Sequence, residues 1–249
     1  MIKFFRHIRK ALIEQNKMGK YFKYAIGEIL LVMVGILLAL QVNTWNENNK
    51  KRAYEVNILS EISSALDRDL NHYQRMKSRL QKLDSASNVM LQHIHNKTQI
   101  FQDTLYRNGG SRWYNLRSGI LYQYNSGPYE ALKSSGLEKI SNKDLRNKLI
   151  KFYDFTFPFN AEMVQYSESR YEGQVQKLRS FLGEPFTEEV DGNIKVYQKF
   201  PENLFQDVEF LTLVNEINGR ANYTIRQLDV QIPKIEKMNK EVKAELNAL

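Results

Sequence analysis

Residues 24–42 have the sequence YAIGEILLVMVGILLALQV, in which Glu28 is the only charged side chain. At about 1.5 Å of rise per residue, a helix of this length spans roughly the hydrocarbon core of a bilayer. The segment therefore predicts one transmembrane helix. It divides the chain into a segment before the membrane, residues 1–23, and a large part after it, residues 43–249.

The charges beside this segment predict its direction. Residues 1–23 contain seven basic residues and one acidic residue, a net charge of +6, and the whole chain carries +8. Only Lys50, Lys51 and Arg52 follow the apolar segment closely. Basic residues favour the cytoplasmic side, so we expect a cytoplasmic N-terminus in the inner membrane and a periplasmic domain over residues 43–249. Because the remaining charge is only +2, we expect no nucleic-acid partner.

The N-terminal segment favours an uncleaved signal anchor over a cleaved signal peptide. The basic lead is long, and no A-x-A-like cleavage site follows Leu40. Apolar residues recur at helical spacing in the lead, at Ile2, Phe5, Ile8 and Leu12. This pattern is typical of an amphipathic helix on the inner leaflet, and the alternative is a disordered basic tail that only sets the topology.

Apolar periodicity predicts an all-α domain of long antiparallel helices after the membrane segment. Residues 43–52 contain no Gly or Pro, so the spanning helix can continue outward. Two stripes with seven-residue spacing follow, and they favour an intramolecular bundle over a self-associating stalk, because Asp69 would bring like charges together at a seam between copies. The stripes consist of Leu59, Leu66, Tyr73 and Leu80, and of Ile62, Asp69, Met76 and Leu83.

Shorter signals predict the remaining elements. A turn is expected at 108–110, an ordered loop with a short helix at 111–127, and a helix from Pro128 to about Gly136. Ser141 and Asp144 resemble a capping box, Pro158 should interrupt the helix that they open, and Asn160 should cap the next one.

The C-terminal part combines one β signal with a long helical pattern. Residues 186–197 contain the turn-forming triplet Asp191-Gly192-Asn193 and predict a small β-hairpin, with an irregular loop as the alternative. The last fifty residues are strongly helical, and Pro233 should kink or split that helix.

Three stretches resemble a Bacteroidota family of small single-span membrane proteins whose domain has no assigned function. They are MIKFFRHIRKALIEQNKMGKYFKYAIGEI at 1–29, GILLALQVNTWNE at 35–47 and YEALKSSGLEKISNKDLRNKLIKFYD at 129–154. The resemblance implies a Gram-negative inner membrane. It implies no activity.

Glu28 is the sharpest candidate within the predicted span. An ionisable side chain inside a membrane is energetically costly, so its presence suggests a function. Here that function would be a polar contact to another membrane subunit. The alternative is a carboxylate that reaches the cytoplasmic interface near Lys20 or Lys23. Gly35 and Ala39 form a small-xxx-small pair that would allow close approach of a second helix.

A second candidate is an aromatic and basic cluster around residues 112–129. Tyr, Trp and Arg anchor many interfaces, so the cluster predicts a partner or ligand surface, and the alternative is that it fills the core beneath its loop. Its members are Arg112, Trp113, Tyr114, Arg117, Tyr122, Tyr124 and Tyr129.

Signals for catalysis or metal binding are weak. His93 and His95 lie two residues apart, which points them in different directions on a helix, and the chain has no cysteine. No common catalytic or nucleotide-binding motif occurs. We therefore expect no enzyme activity and no cofactor, but a membrane-anchored binding or scaffolding component with a protein partner or self-association. The alternatives are a periplasmic sensor with a separate signalling partner, or an enzyme.

Overall fold

The structure, a computed structural model, describes residues 18–98 and 110–249. The predicted amphipathic segment and the turn at 108–110 therefore lie largely outside the described residues. Helices dominate, as predicted, with one two-stranded sheet. The α-helices are α1 Met18–His95, α2 Gly110–Leu116, α3 Gly127–Ser135, α4 Lys143–Lys151, α5 Phe157–Glu168, α6 Tyr171–Ser180 and α7 Val208–Ala248. The other elements are a π-helical turn Phe152–Thr156, two 3₁₀ turns, Leu137–Lys139 and Leu204–Gln206, and the strands β1 Pro185–Val190 and β2 Asn193–Gln198.

The chain divides into two compact units, Met1–Glu55 and Val56–Leu249, and α1 contributes residues to both. In the first unit α1 contains a window with a mean hydropathy of 2.4 and none of its residues buried. By length and composition this helix is apolar enough to cross a membrane. Helical structure continues without a break past residues 43–52, as predicted.

The core of the second unit forms where α1 runs antiparallel to α7. The order of contacts gives the direction, because Ser63 contacts Asn239 near one end while Asp84 contacts Asn218 near the other. Every residue of the two seven-residue stripes is at most 6% exposed, including Asp69. The stripes are thus buried within one chain, as the bundle interpretation requires.

Pro233 was predicted to kink or split the last helix, and the split does not occur. α7 is continuous from Val208 to Ala248 with Pro233 inside it. A proline removes one backbone donor, but its neighbours Ile232 and Ile235 are buried on the core side of α7 and hold the helix on both sides of it. The helix begins at Asp207, whose side chain accepts hydrogen bonds from the backbone N–H groups of Glu209 and Phe210.

Two predicted helix starts lie elsewhere. Asn142, not Ser141, caps α4, because its side-chain oxygen accepts from the N–H groups of Asp144 and Leu145. Asn160 caps nothing, since it is buried inside α5 and donates to the Tyr122 hydroxyl.

The interruption that was predicted at Pro158 does not occur. A π-helical turn at Phe152–Thr156 connects α4 to α5, and Pro158 lies in the first turn of α5, where its missing N–H costs least.

The predicted hairpin is confirmed. β1 and β2 pair antiparallel, with Pro185 opposite Gln198 and Val190 opposite Asn193. The two turn residues, Asp191 and Gly192, both have positive φ, of 53° and 73°. Asp and Gly tolerate this conformation better than other residues, which is why the Asp-Gly pair forms a tight turn here.

Candidate functional site

The residues of the sequence-predicted aromatic cluster separate into buried and exposed positions. Trp113 is 7% exposed and packs between Phe200 and Phe210, with ring centroids 4.7 and 6.1 Å away. Tyr129 is fully buried and stacks on Tyr153 at 4.6 Å. For these two residues the core interpretation applies, and they are not available to a partner.

Tyr122 and Tyr124 are half-buried in a second aromatic group. Tyr122 stacks on Tyr73 at 5.0 Å, and Tyr124 stacks on Phe157 at 4.5 Å. Burial raises the pKa of Tyr122 and of Tyr73 above the usual tyrosine value. Phe157 also contacts Tyr153, so this group is continuous with Tyr129.

The other three members lie at or near the surface. Arg112 and Tyr114 are exposed, whereas Arg117 is half-buried. Arg112 lines a shallow polar hollow between α1 and α2 that includes Lys82. Only Arg112 and Tyr114 therefore remain as a solvent-facing pair from the predicted surface.

The loop at residues 117–126 is held by side chains from the surrounding helices. An irregular segment inside a bundle needs partners for its backbone polar groups, and five helical side chains supply them here. The bonds are Tyr171 Oη to the Arg117 carbonyl (3.0 Å), Arg220 Nη2 to the Ser118 carbonyl (3.0 Å), the Ile120 N–H to Glu168 Oε2 (3.3 Å), His72 Nε2 to the Leu121 carbonyl (3.2 Å) and the Asn125 N–H to both Asp69 oxygens (3.1 and 3.0 Å).

This arrangement explains the acidic residue in the apolar stripe of α1. Asp69 is buried because both of its carboxylate oxygens accept from the loop backbone at Asn125. Burial raises its pKa, while the bond from Asn125 acts in the opposite direction.

Arg220 of α7 is the centre of a buried polar network. Its side chain is 3% exposed and forms an ion pair with Glu168 at 2.7 Å. It also donates from Nε to Gln174 Oε1 at 2.8 Å and lies over the ring of Tyr171, 5.3 Å from the centroid. Glu168 in turn lies 3.4 Å from the hydroxyl of Thr224. One arginine thus connects α5, α6, α7 and the loop.

A cleft of about 330 Å³ lies directly beside this network, between the end of α5, α6 and α7. On α7 the lining residues recur at helical spacing, and Arg170, the residue just before α6, lies one turn before Gln174. The lining residues are Tyr166, Ser167, Arg170, Gln174, Asn215, Glu216, Gly219, Arg220 and Tyr223.

Two features make this cleft more than a surface groove. Gln174 is 5% exposed, its oxygen accepts from Arg220, and its buried Nε2 has no acceptor among the described residues. Gly219 forms an open floor, because a Cβ placed there would meet no atom within 4 Å. The wall of the cleft therefore contains a buried donor without a partner, and its floor is open.

Sequence reasoning missed this cleft, although one signal was available. Arg220 directly precedes Ala221 in the apolar period of α7 and lies three residues after Ile217. A basic residue on the core side of a helix requires a buried partner, so its position points to a polar network.

The intramembrane candidates belong to the first unit. Glu28 has intermediate exposure, and Gly35 and Ala39 are exposed along α1. A Cβ at Gly35 would meet no atom within 4 Å. Within this unit the small-residue face is therefore open.

The two neighbouring histidines have separate surroundings. His93 stacks on Phe205 at 5.1 Å, while His95 is exposed. Within residues 18–98 and 110–249, no group of three His, Cys, Asp or Glu side chains could hold a metal ion.

Comparison with known proteins identifies one family. The model of a family of unknown function, DUF6090, matches residues 28–187. The matched range contains the α5 and α6 walls of the cleft but not Arg220 or the rest of α7. No curated protein and no solved structure matches the chain.

Proposed function

The chain belongs to the family of unknown function DUF6090, and from that premise we propose that it is a membrane-anchored binding or scaffolding protein. One observation carries the proposal: α1 contains a long apolar window in which no residue is buried. Water would strongly disfavour that much exposed apolar surface, whereas lipid accepts it. The same segment is preceded by the basic residues 1–23 and lies in the same chain as a well-packed unit over Val56–Leu249.

We assign the anchor to a Gram-negative inner membrane, as a single pass with the N-terminus in the cytoplasm and residues 43–249 in the periplasm. The charge difference across residues 24–42 supports this orientation, and so does the resemblance to single-span Bacteroidota proteins. Trp45, which follows the apolar segment and is 66% exposed, suits an aromatic anchor at the outer interface.

A binding role is preferred to catalysis because three carboxylates of the second unit, Asp69, Asp154 and Glu168, are engaged in structure. Asp69 binds the loop backbone, and Glu168 pairs with Arg220. Asp154 accepts from the Tyr129 hydroxyl and from Lys133. A general acid or base needs access to a substrate proton, and these groups are committed to protein partners.

A sensor role is the second candidate, and the Arg220 network favours it. The cleft shares Arg220 with the loop at 117–126, so occupancy of the cleft can bias the loop. Such a sensor would work through a separate signalling partner.

Reporter fusions test the proposal. Alkaline phosphatase and green fluorescent protein, each joined after residue 60 and after the full chain, should give phosphatase activity and no fluorescence. A fluorescent, phosphatase-negative pair would overturn the orientation, and recovery of the full chain in the soluble fraction would overturn the anchor.

Photo-crosslinking in cells tests the binding role. Crosslinkers at Tyr114 and Leu121, which are 65% and 68% exposed, and at Glu28 should capture a defined partner or a second copy of the chain. The same crosslinker at Trp113 is the buried control. Equal capture from the buried and exposed positions would argue against a specific surface.

A further inference from the structure

We propose that the cleft between α5, α6 and α7 binds a small zwitterion with an apolar or aromatic group, the chemistry of a free α-amino acid. The inference deepens the binding role proposed above by assigning it a site and a ligand class.

The donor side of the cleft is suited to a carboxylate. Gln174 lines this wall, and its oxygen accepts from Arg220 Nε, while its buried Nε2 has no acceptor among the described residues. Arg170 lies one helical turn before Gln174 on the same wall and has no ion-pair partner among the described residues. An unpaired guanidinium on the wall of a cleft is suited to binding a carboxylate.

The opposite wall is suited to an ammonium group. Glu216 of α7 lines the cleft and also has no ion-pair partner within the described part of the chain. The charge of Arg220 is already compensated by Glu168, so this pair adds no net charge to the cleft. The unpaired charges are thus one positive group at the start of α6 and one negative group on α7, which matches a neutral zwitterion better than a simple anion.

The remaining lining supplies room and apolar contact. Tyr166 and Tyr223 contribute aromatic surface, and Gly219 leaves the floor open. Aromatic side chains give a planar ligand group a large contact area at low entropic cost. A volume of about 330 Å³ is at the lower end of typical small-molecule sites, so a single amino acid suits it better than a longer peptide.

Isothermal titration of the full-length protein in detergent micelles tests the ligand class with three matched probes. L-phenylalanine carries both charges, 3-phenylpropanoate lacks the ammonium group, and phenethylamine lacks the carboxylate. L-phenylalanine should bind at least about tenfold more tightly than either partial probe, since each removed charge leaves a polar group of the site unpaired. Equal affinities for the three probes, tighter binding of 3-phenylpropanoate, or no binding of L-phenylalanine at about 10 mM would each overturn the proposal.

Variants locate the binding in the cleft. Gly219→Leu fills the floor with a good helix former and should abolish binding, while Gly173→Leu, on a face of α6 with equal space, should leave it unchanged. Arg170→Gln should weaken L-phenylalanine binding at least about tenfold, and Arg179→Gln, at an exposed position of α6, should not. Wild-type affinity in Gly219→Leu would exclude this site. The titration does not depend on membrane orientation. A negative titration would therefore overturn the ligand class and leave the anchor and its orientation, which the reporter fusions test, unaffected.

Discussion

Replacing Arg220 with methionine should destabilise the second unit more than any surface substitution. Methionine keeps much of the length and apolar contact of arginine but removes the charge and three hydrogen bonds, to Glu168, Gln174 and Ser118. The loss leaves Glu168 buried, with its side chain 10% exposed, and supported only by longer contacts to Ile120 N–H and the Thr224 hydroxyl.

The expected magnitude follows from that unpaired charge. Removing one partner of a buried ion pair costs about 3–5 kcal/mol, because the remaining charge loses its compensation. In the double variant Arg220→Met/Glu168→Gln that charge is gone, so about 1–3 kcal/mol should be regained relative to Arg220→Met alone. Arg226→Met, at an exposed position of the same helix, should stay within about 0.5 kcal/mol of wild type.

Urea unfolding of the full chain in micelles measures these differences. Trp113 is one of two tryptophans and is buried, so in a Trp45→Phe background its fluorescence reports on the folded unit. A cost below about 1 kcal/mol for Arg220→Met would refute the network as a source of stability. A double variant as unstable as the single one would show that the unpaired carboxylate is not the cause.

Three further substitutions test separate parts of the structure. Burial raises the pKa of Asp69, so ionisation of this carboxyl opposes folding. The stability of the wild type relative to Asp69→Asn should therefore rise as the pH falls through the raised pKa, and it should level off below the ordinary value of 3.8. Urea unfolding between about pH 7 and pH 3 measures this difference. Asn142→Ala should cost about 1 kcal/mol in the same assay, because it loses the α4 cap, and Ser141→Ala should cost less. Gly219→Ala should raise the free energy of unfolding by about 0.5–1 kcal/mol, since a Cβ there meets no atom and glycine is costly inside a helix.

The long helices could be predicted from the sequence because their signals are periodic and repeated. Two stripes over more than three repeats predict a buried face even when one position, Asp69, breaks the pattern. The hairpin could be predicted for a different reason, because Asp191-Gly192 tolerates the positive φ angles that a tight turn requires.

Helix starts were less predictable because competing residues lay side by side. Ser141 and Asn142 are both good caps, and only the backbone course of the chain selects Asn142. Asn160 has the residue type of a cap, but its side chain is needed in the core as a partner for Tyr122.

The candidate site depends on contacts between residues that are distant in sequence. Arg220 and Ser118 are separated by 102 positions, and no local pattern connects them. Likewise, Trp113 and Tyr129 have the composition of an interface, but only the packing against Phe200 and Tyr153 identifies them as core. Composition can suggest a binding surface, but the burial of each side chain determines whether a partner can reach it.

Single-cysteine labelling of intact cells tests the central claim most directly, because the native chain contains no cysteine. Lys237→Cys, at an exposed position of α7, should react with a membrane-impermeant maleimide once the outer membrane is permeabilised. Lys3→Cys, before the apolar segment, should react only after the inner membrane is also disrupted. The reverse pattern, or equal labelling of both positions before disruption, would contradict a membrane-anchored protein with its helical unit in the periplasm.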